Sequence, residues 1–248
     1  MQLRSVVAVA VLALAGLCGN VMSVAAPVAG SGAADAVVAK LKALRPDLVI
    51  ESAVPAPLPG MVEIRLAGGN VLYASNDGRY LIAGDLYEMG DTLVNLAEHA
   101  RDEKRRDVIA AVSVDDMAVF PAQGSRKATI TVFTDVDCGY CRKLHLEVPR
   151  MNQMGVEVRY LAYPRGGVGS PSYDKLVTVW CSNDRQDAIT RMKRGETLPP
   201  KKCANPVERE YQLGHVVGLT GTPAIVLEDG RMIAGFVTAD ELKQELGI

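Results

Sequence analysis

Hydrophobic and polar residues follow two different periods in the first third of the chain. Apolar residues recur at helical spacing over residues 34–44, and every second residue is apolar over residues 61–66, as in a strand with one buried face. Two further apolar runs flank Asp77-Gly78, a dipeptide that favours a tight hairpin. We therefore predict that residues 26–90 form a small α+β unit, in which one helix precedes an antiparallel meander.

From residue 113 onwards, the pattern changes to strands that alternate with helices. The β-branched run 129–133 is typical of a central strand, and residues 156–163 are predicted as a second strand. Between them a helix is predicted over residues 137–148, with Pro149 ending it. Because a strand–helix–strand unit has a right-handed crossover within one sheet, the two strands should be parallel neighbours.

The rest of this part carries clear signals for where each element begins. Proline is tolerated in the first turn of a helix, and a capping box satisfies the first free amides of a helix. The predicted elements are a helix from Pro171, a helix after Pro206, strands over 223–227 and 232–237, and a closing helix after the capping box Thr238–Glu241. The order is β-α-β, a helical insertion, then β-β-α, which predicts an α/β domain over residues 113–248.

The two units are joined by a predicted helix over residues 91–112. Its segment 101–107 mixes acidic and basic residues and has no wide apolar stripe. A helix of this kind either bridges two domains through solvent or exposes the solvated face of a packed helix. The sequence leaves both arrangements open.

The first 25 residues have the features of a secretory signal peptide. Arg4 supplies the positive charge, and the apolar run 6–17 is too short to span a bilayer core of ~30 Å. Ala25 closes a small-residue cleavage sequence. The alternatives are an uncleaved anchor and a lipoprotein modified at Cys18, although Leu17 is larger than the residue a lipoprotein site requires there. Cleavage would deliver the mature chain to an oxidising compartment.

Composition excludes several classes of protein. The 248-residue chain has a formal net charge of −2, with 48% hydrophobic and 23% charged residues, so intrinsic disorder is excluded. A nearly neutral chain gains little from a polyanion, and the aromatic content of 5% offers few stacking surfaces, so no nucleic-acid partner is expected. Removal of the signal peptide leaves an even number of cysteines, which favours disulfide chemistry over metal binding in an exported protein.

The candidate chemistry lies at Cys138-Gly139-Tyr140-Cys141, at the predicted start of a helix. Free amides and the dipole at a helix N-terminus stabilise a thiolate and lower its pKa. Since only the thiolate attacks a disulfide, we predict Cys138 as the nucleophile. Cys141 lies one turn further along and is predicted to resolve the mixed disulfide. No cofactor is needed for this reaction.

Two other interpretations of these cysteines are weaker. A structural zinc site needs four ligands, usually as two close pairs, but the remaining cysteines and histidines are scattered, so no metal is expected. A purely structural disulfide within the motif is disfavoured, because a short loop between a strand and a helix is the redox arrangement. His145 lies in the same helix, and a packed or surface role is favoured over that of a catalytic base.

Two further features accompany the motif. Cys181 follows an apolar helical stripe and Cys203 lies in a loop, so they form the natural second pair, and a second redox couple is the alternative. Thr222-Pro223 begins a strand. Its peptide bond can be cis, which would expose the neighbouring backbone to an extended partner, although a trans proline at a strand start is the commoner arrangement.

These residues together resemble the DsbC-type periplasmic disulfide isomerases, and the likeness extends over nearly the whole mature chain. The resemblance implies a cystatin-like dimerisation domain, a linker helix and a thioredoxin-like catalytic domain with a helical insertion. It places the active-site pair on Cys138 and Cys141, the cis-proline on Pro223 and the structural disulfide on Cys181–Cys203. The remaining residues that it places at the motif or against substrate are Gly139, Tyr140 and Thr222. Arg142 is a departure, because family members often carry histidine there.

The resemblance also implies a function. A periplasmic homodimer is expected to rearrange wrong disulfides in misfolded exported proteins, and a DsbD-type membrane protein is expected to reduce it. The alternatives are a net thiol oxidase, a DsbG-like reductase of sulfenylated cysteines, and a chaperone-like binding dimer in which the cysteines are incidental.

Overall fold

The computed structural model describes residues 31–248, and the signal peptide predicted at residues 1–25, with Cys18, lies outside them. The first unit contains helix α1 (Ser31–Leu44) and strands β1 (Ile50–Pro55), β2 (Met61–Leu66), β3 (Val71–Ser75) and β4 (Leu81–Ala83). The strands form an antiparallel sheet in the order β1-β2-β3-β4. The predicted helix and meander are therefore present, and β1 is an additional strand.

Both faces of this sheet are covered. Apolar residues of α1 pack on one face, against Val62, Ile64 and Leu66. Glu63 points to the opposite face, as the alternation predicts, but that face is covered as well, so Glu63 is buried and accepts a hydrogen bond from the Arg65 guanidinium at 2.8 Å. Burying both faces gives this small unit more core than a meander with one solvated face would have.

The linker helix begins later than predicted. Residues 93–95 form strand β6 (Leu93–Asn95), which pairs with β5 (Tyr87–Met89), and helix α2 covers Leu96–Ala110. The helix begins there because the Asn95 side chain accepts a hydrogen bond from the Glu98 amide and caps it.

Helix α2 is packed on both units, which answers the question that the sequence left open. Ala97 and Ala100 pack under the first sheet, beside Tyr73. Arg105 is buried, and its Nε donates to the Val217 carbonyl at 3.2 Å in the second unit. The sequence gives no sign of this packing, because small alanines and the stem of an arginine take the place of a wide apolar stripe.

The second unit is built on a five-stranded sheet in the order β11-β10-β8-β9-β7. Its first elements are β7 (Ala118–Phe120), β8 (Ala128–Thr134), helix α3 (Gly139–Gln153) and β9 (Val156–Ala162). Strand β8 is buried along its whole length and pairs in parallel with β9, as predicted. Each large apolar side chain buried there contributes roughly 1.5–3 kcal/mol.

Helix α3 continues past Pro149, so the predicted end of this helix is wrong. A proline inside a helix removes one backbone hydrogen bond. Here buried residues on both sides of it, Val148 and Met151, hold the helix against the sheet. Tertiary packing therefore outweighs the local signal.

The remaining elements complete the second unit. They are α4 (Pro171–Trp180), α5 (Arg185–Lys193), α6 (Val207–Val216), β10 (Ala224–Leu227), β11 (Met232–Ala234) and α7 (Ala239–Leu246). The starts of α4 and α7 follow the predicted caps, Ser170 and the Thr238–Glu241 box. Strand β11 is shorter than predicted. No helix in the described range combines the length and apolar composition that crossing a bilayer requires.

Candidate active site

The Cys138 sulfur lies at the N-terminus of α3, at the carboxyl end of strand β8. Cys138 is the N-cap residue, with extended backbone (φ −78°, ψ 121°), and its Sγ accepts a hydrogen bond from the Cys141 amide at 3.4 Å. The first amides of a helix have no partner within the helix and attract negative charge. The local fold therefore places this sulfur where a thiolate is stabilised.

The loop before β10 faces this sulfur. Strand β10 pairs antiparallel with β8, and Ala224 lies opposite Phe133, so the residues that precede β10 reach the end of β8. The Cys138 thiol donates to the Thr222 carbonyl at 3.3 Å. The Thr222–Pro223 peptide bond is cis, so the trans arrangement that the sequence alone favours is wrong at this position. The backbone beside Pro223 lies next to Cys138, where an extended chain could align.

The two cysteines are both free thiols, but their environments differ. Burial opposes ionisation of Cys138, yet the polar side chain of Thr222 and the Cys141 amide favour the thiolate, outweigh burial and hold the pKa of Cys138 below its ordinary value. Burial dominates at Cys141 and raises the pKa of that thiol. Of the two thiols, Cys138 therefore ionises more readily than Cys141.

The turn between β8 and α3 is fixed by a buried carboxylate. Asp135 is 1% exposed. Its Oδ1 accepts from the Asp137 amide at 2.7 Å, and its Oδ2 accepts from the Arg165 amide at 2.9 Å. The Arg165 guanidinium adds a positive charge that helps to lower the pKa of Cys138. Sequence reasoning did not single out Arg165, although it follows β9, and the carboxyl ends of parallel strands meet at one edge of a sheet.

The two residues between the cysteines are accessible, and Arg142 after the motif is half-buried. Gly139 and Tyr140 are exposed, and the Tyr140 ring lies 5.3 Å from the Lys143 Nζ. Arg142 bends back along the turn, where its Nε donates to the Val136 carbonyl at 2.9 Å. Its guanidinium therefore holds the turn that precedes Cys138.

His145 and the second cysteine pair lie outside this site. His145 is buried, and its ring nitrogens lie 3.1 Å from the Tyr160 hydroxyl and 3.0 Å from the Thr190 hydroxyl, so it is a packed histidine. Cys181 and Cys203 form a disulfide that links the end of α4 to the loop before α6. Within residues 31–248, no cluster of His, Cys, Asp or Glu side chains is arranged to hold a metal ion.

One buried charged residue near the site is not predicted from the sequence. Lys193, at the end of α5, is 5% exposed, and its Nζ donates to the Thr134 hydroxyl at 2.7 Å. A sequence signal does exist, because Lys193 lies four residues after the buried Ile189 and so continues the apolar face of α5. That spacing predicts that Lys193 is buried, but it does not predict that Lys193 lies close to the cysteines.

Comparisons with known proteins agree with this arrangement. Residues 28–98 match the family model described as the disulfide bond isomerase protein N-terminal domain, and residues 114–247 match that of the thioredoxin-like domain. The two matches confirm the predicted order of an N-terminal isomerase-type domain followed by a thioredoxin-like domain.

Curated relatives match most of the chain. It is 40% identical over 188 residues to the thiol:disulfide interchange protein DsbC of Dickeya dadantii, covering 75% of this chain and 76% of the relative. It is 34% identical over 192 residues to that of Escherichia coli, covering 77% and 79%. A solved disulfide interchange protein from Neisseria gonorrhoeae is 30% identical, with a TM-score of 0.49, over 55% of this chain and 96% of that chain. The curated relatives and the family models show that the chain belongs to the DsbC family of thiol:disulfide interchange proteins, which are thiol-disulfide oxidoreductases.

Proposed function

We propose that this protein is a periplasmic disulfide isomerase and reductase, in which Cys138 attacks wrong disulfides of exported proteins. The observation that carries the proposal is the position of the Cys138 sulfur, between the Cys141 amide at 3.4 Å and the Thr222 carbonyl at 3.3 Å. The Thr222 side chain and the Cys141 amide hold the pKa of Cys138 below its ordinary value. This makes Cys138 the better nucleophile of the pair at neutral pH.

The reaction proceeds by exchange. The Cys138 thiolate attacks one sulfur of a substrate disulfide, a mixed disulfide forms, and the other substrate sulfur leaves as a thiolate. A different substrate thiol can then displace Cys138, which isomerises the substrate and regenerates the reduced enzyme. Alternatively, Cys141 attacks Cys138, which releases a reduced substrate and leaves a Cys138–Cys141 disulfide.

The residues around Cys138 are suited to hold an extended substrate. The buried cis-Pro223 presents the Thr222 backbone beside the sulfur, and Gly139 and Tyr140 form the exposed surface on the helix side. Main-chain hydrogen bonds to a segment of this kind give affinity with little dependence on sequence. Misfolded proteins of unrelated sequence could therefore bind as substrates.

The proposed assembly is a homodimer that associates through the first unit, predicted over residues 26–90. Strand β4 is one of the two edge strands of its sheet, and Leu81 and Ile82 are each 50% exposed on it. An apolar edge strand left uncovered would invite aggregation, and a second copy of the chain would cover it. The proposed division of the rest is a linker over residues 91–112 and a catalytic domain over residues 113–248.

The proposed cycle requires an external reductant. Reduction of a substrate leaves the Cys138–Cys141 disulfide, which must be opened before another wrong bond can be attacked. Resemblance to the family assigns this step to a DsbD-type membrane protein. The signal peptide predicted at residues 1–25 supports a periplasmic location.

Substitution of each cysteine tests these roles. We expect Cys138→Ser to abolish the repair of a scrambled multi-disulfide substrate, because the attacking sulfur is lost. We expect Cys141→Ser to accumulate mixed disulfides with substrate, because the resolving thiol is lost while the nucleophile remains. Both can be measured by recovered substrate activity and by non-reducing electrophoresis.

The control is the order of alkylation in the reduced wild-type protein. Mass mapping after a short pulse of iodoacetamide should find Cys138 modified first. Faster modification of Cys141 would reverse the assigned roles. Repair that persists in both variants would favour a chaperone-like binding dimer instead.

A further inference from the structure

The buried Lys193 is unusual because none of the carboxylates in the described residues forms an ion pair with it. Its Nζ donates to the Thr134 hydroxyl at 2.7 Å and lies 5.3 Å from the centre of the Tyr160 ring. An ammonium group taken out of water without a counter-charge costs several kcal/mol. Burial accordingly lowers the pKa of Lys193 to about 8, so it still carries its proton at neutral pH. The fold keeps a destabilising charge at this position.

The groups that face Lys193 indicate what offsets this cost. The charges of ionised Cys141, Cys138 and Asp135 favour its protonated form, and the Arg142 guanidinium opposes it. Two other titratable groups lie close by. Burial keeps His145 neutral, with its pKa lowered to about 3, and burial also raises the pKa of Tyr160. The sulfurs of the two cysteines are therefore the groups near Lys193 whose charge changes during thiol-disulfide exchange.

The interaction is reciprocal, and it acts most strongly on Cys141. At Cys141 burial is the main cause of the raised pKa, and the positive charge of Lys193 is the largest effect in the opposite direction. At Cys138 the effects that lower the pKa come from the Thr222 side chain, from hydrogen bonding with Cys141 and from the charge of Arg165. The structure thus places a different cation near each sulfur.

We propose that Lys193 is a positioning residue for the resolving step: held on Thr134, its buried ammonium favours the thiolate of Cys141 and so speeds the release of the mixed disulfide. The proposal rests on the roles proposed above for Cys138 and Cys141. In this step the Cys141 sulfur attacks the Cys138 sulfur, and the Cys138–Cys141 bond forms. The bond from Cys138 to substrate breaks, and its electron pair leaves on the substrate sulfur. That sulfur takes up the proton that Cys141 gives up. The substrate is reduced and the cysteine pair is oxidised.

The two steps can be separated with oxidised glutathione as the probe. The reduced full-length mature protein is mixed with excess oxidised glutathione, quenched with acid at intervals and analysed by mass. The glutathione adduct on Cys138 reports the first attack, and its conversion to the Cys138–Cys141 disulfide reports the resolving step. The series is repeated from pH 6 to pH 9.

Three variants isolate the charge. Lys193→Gln keeps a hydrogen-bond donor for Thr134 but removes the charge. Lys193→Met fills a similar volume and has neither the donor nor the charge. Arg194→Gln is the matched control, because it removes a positive charge from the exposed neighbouring residue. Loss of a nearby opposite charge raises the pKa of a thiol and lowers its thiolate fraction by about tenfold. The thiolate that remains is about threefold more nucleophilic because its pKa is higher, so the net loss of rate is about threefold.

At pH 7 we expect the resolving step to be about threefold slower in both Lys193 variants than in wild type. The rate of the first attack in these variants, and both rates in Arg194→Gln, should stay within about twofold of wild type. The difference in resolving rate between wild type and the Lys193 variants should become smaller above about pH 8, where Lys193 loses its own proton. A Lys193 variant whose resolving rate at pH 7 equals that of wild type would overturn the proposal. So would a resolving rate that is slowed by the same factor at every pH, because that result indicates a structural effect.

If neither variant folds, the dependence of the wild-type resolving rate on pH decides. A profile with a single ionisation and no second bend near pH 8 also overturns the proposal.

Failure of the proposed function gives a different result. In that case the wild-type protein itself forms no glutathione adduct on Cys138, whatever residue stands at position 193. An adduct that forms normally but resolves independently of Lys193 would overturn this inference alone.

Discussion

At the scale of single residues, the interior of the catalytic unit holds a histidine that must stay neutral. His145 is buried between the Tyr160 and Thr190 hydroxyls. Burial is the main reason that its pKa falls to about 3, and the charges of Lys193 and Arg194 add to the effect. A histidine whose folded pKa lies below its unfolded value contributes stability above the unfolded pKa and loses that contribution as pH falls.

We therefore expect His145→Gln to reduce the dependence of stability on pH. In the wild type, this group should lower the free energy of unfolding by up to about 1.4 kcal/mol per pH unit as pH falls from 6.5, its ordinary pKa, towards 3. Denaturant titrations at pH 7.5, 5.5 and 4.5 measure the difference between wild type and variant at each pH. The control is His99→Gln, which changes an exposed histidine. A difference that stays constant across these pH values would contradict the assignment.

The sequence predicts Cys138 at the start of a helix, and the structure confirms that position. A helix N-terminus acts on whichever residue caps it, so this part of the site follows from local position, while the roles of Cys138 and Cys141 stay a prediction. Arg165 and Lys193 could not be recognised in the same way, because each reaches the site through the packing of a different element. Their contribution to the charge at the sulfurs depends on tertiary structure, which spacing along the chain does not contain.

At the scale of elements, the helical insertion supports the site from outside. Helix α5 carries both Lys193 and Thr190, and the Cys181–Cys203 bond links the segments on either side of this helix. We expect the double substitution Cys181→Ala/Cys203→Ala to lower the free energy of unfolding by roughly 3 kcal/mol, since the bond closes a loop with a sequence separation of 22.

Denaturant titration of the double variant measures that loss, and the rate of the first attack on oxidised glutathione serves as the control. That rate should stay close to wild type, because the partners of Cys138 lie on α3 and in the loop before β10. A variant as stable as wild type would show that the bond does not constrain this segment. A slower first attack would show that the insertion acts on Cys138 directly.

Elements with their own start signals were predictable, and elements made by distant pairing were not. The Ser170 and Thr238 caps mark helices that are present at the predicted positions. Strand β7 has three residues, and its pairing with β9 joins parts of the chain about forty residues apart, which no local pattern can indicate. Residues 93–95 are a different case: the sequence predicts them as part of the linker helix, but they form a short local hairpin with β5, in which Leu93 lies opposite Met89.

At the scale of the whole molecule, the proposed assembly depends on strand β4, an edge of the first sheet. Tyr80, Leu81 and Ile82 are all at least half exposed at this edge. If a second copy covers it, two Cys138 sites belong to one assembly. A substrate held by one site then meets the other at a high effective concentration, so repeated exchange becomes faster than with separate sites.

Ile82→Lys tests this assembly without shortening the chain. A lysine in the apolar interface would be buried without a partner, so we expect the variant to be monomeric at micromolar concentration in light scattering while wild type is a dimer. It should keep the glutathione reactivity of Cys138, because that site lies in the other unit, and it should lose most repair of a scrambled substrate. Leu44→Lys is the matched control, since Leu44 is 70% exposed on α1, and this variant should remain dimeric and active. A monomeric wild type, or a monomeric Ile82→Lys that repairs substrate as well as wild type does, would show that isomerisation needs a single site.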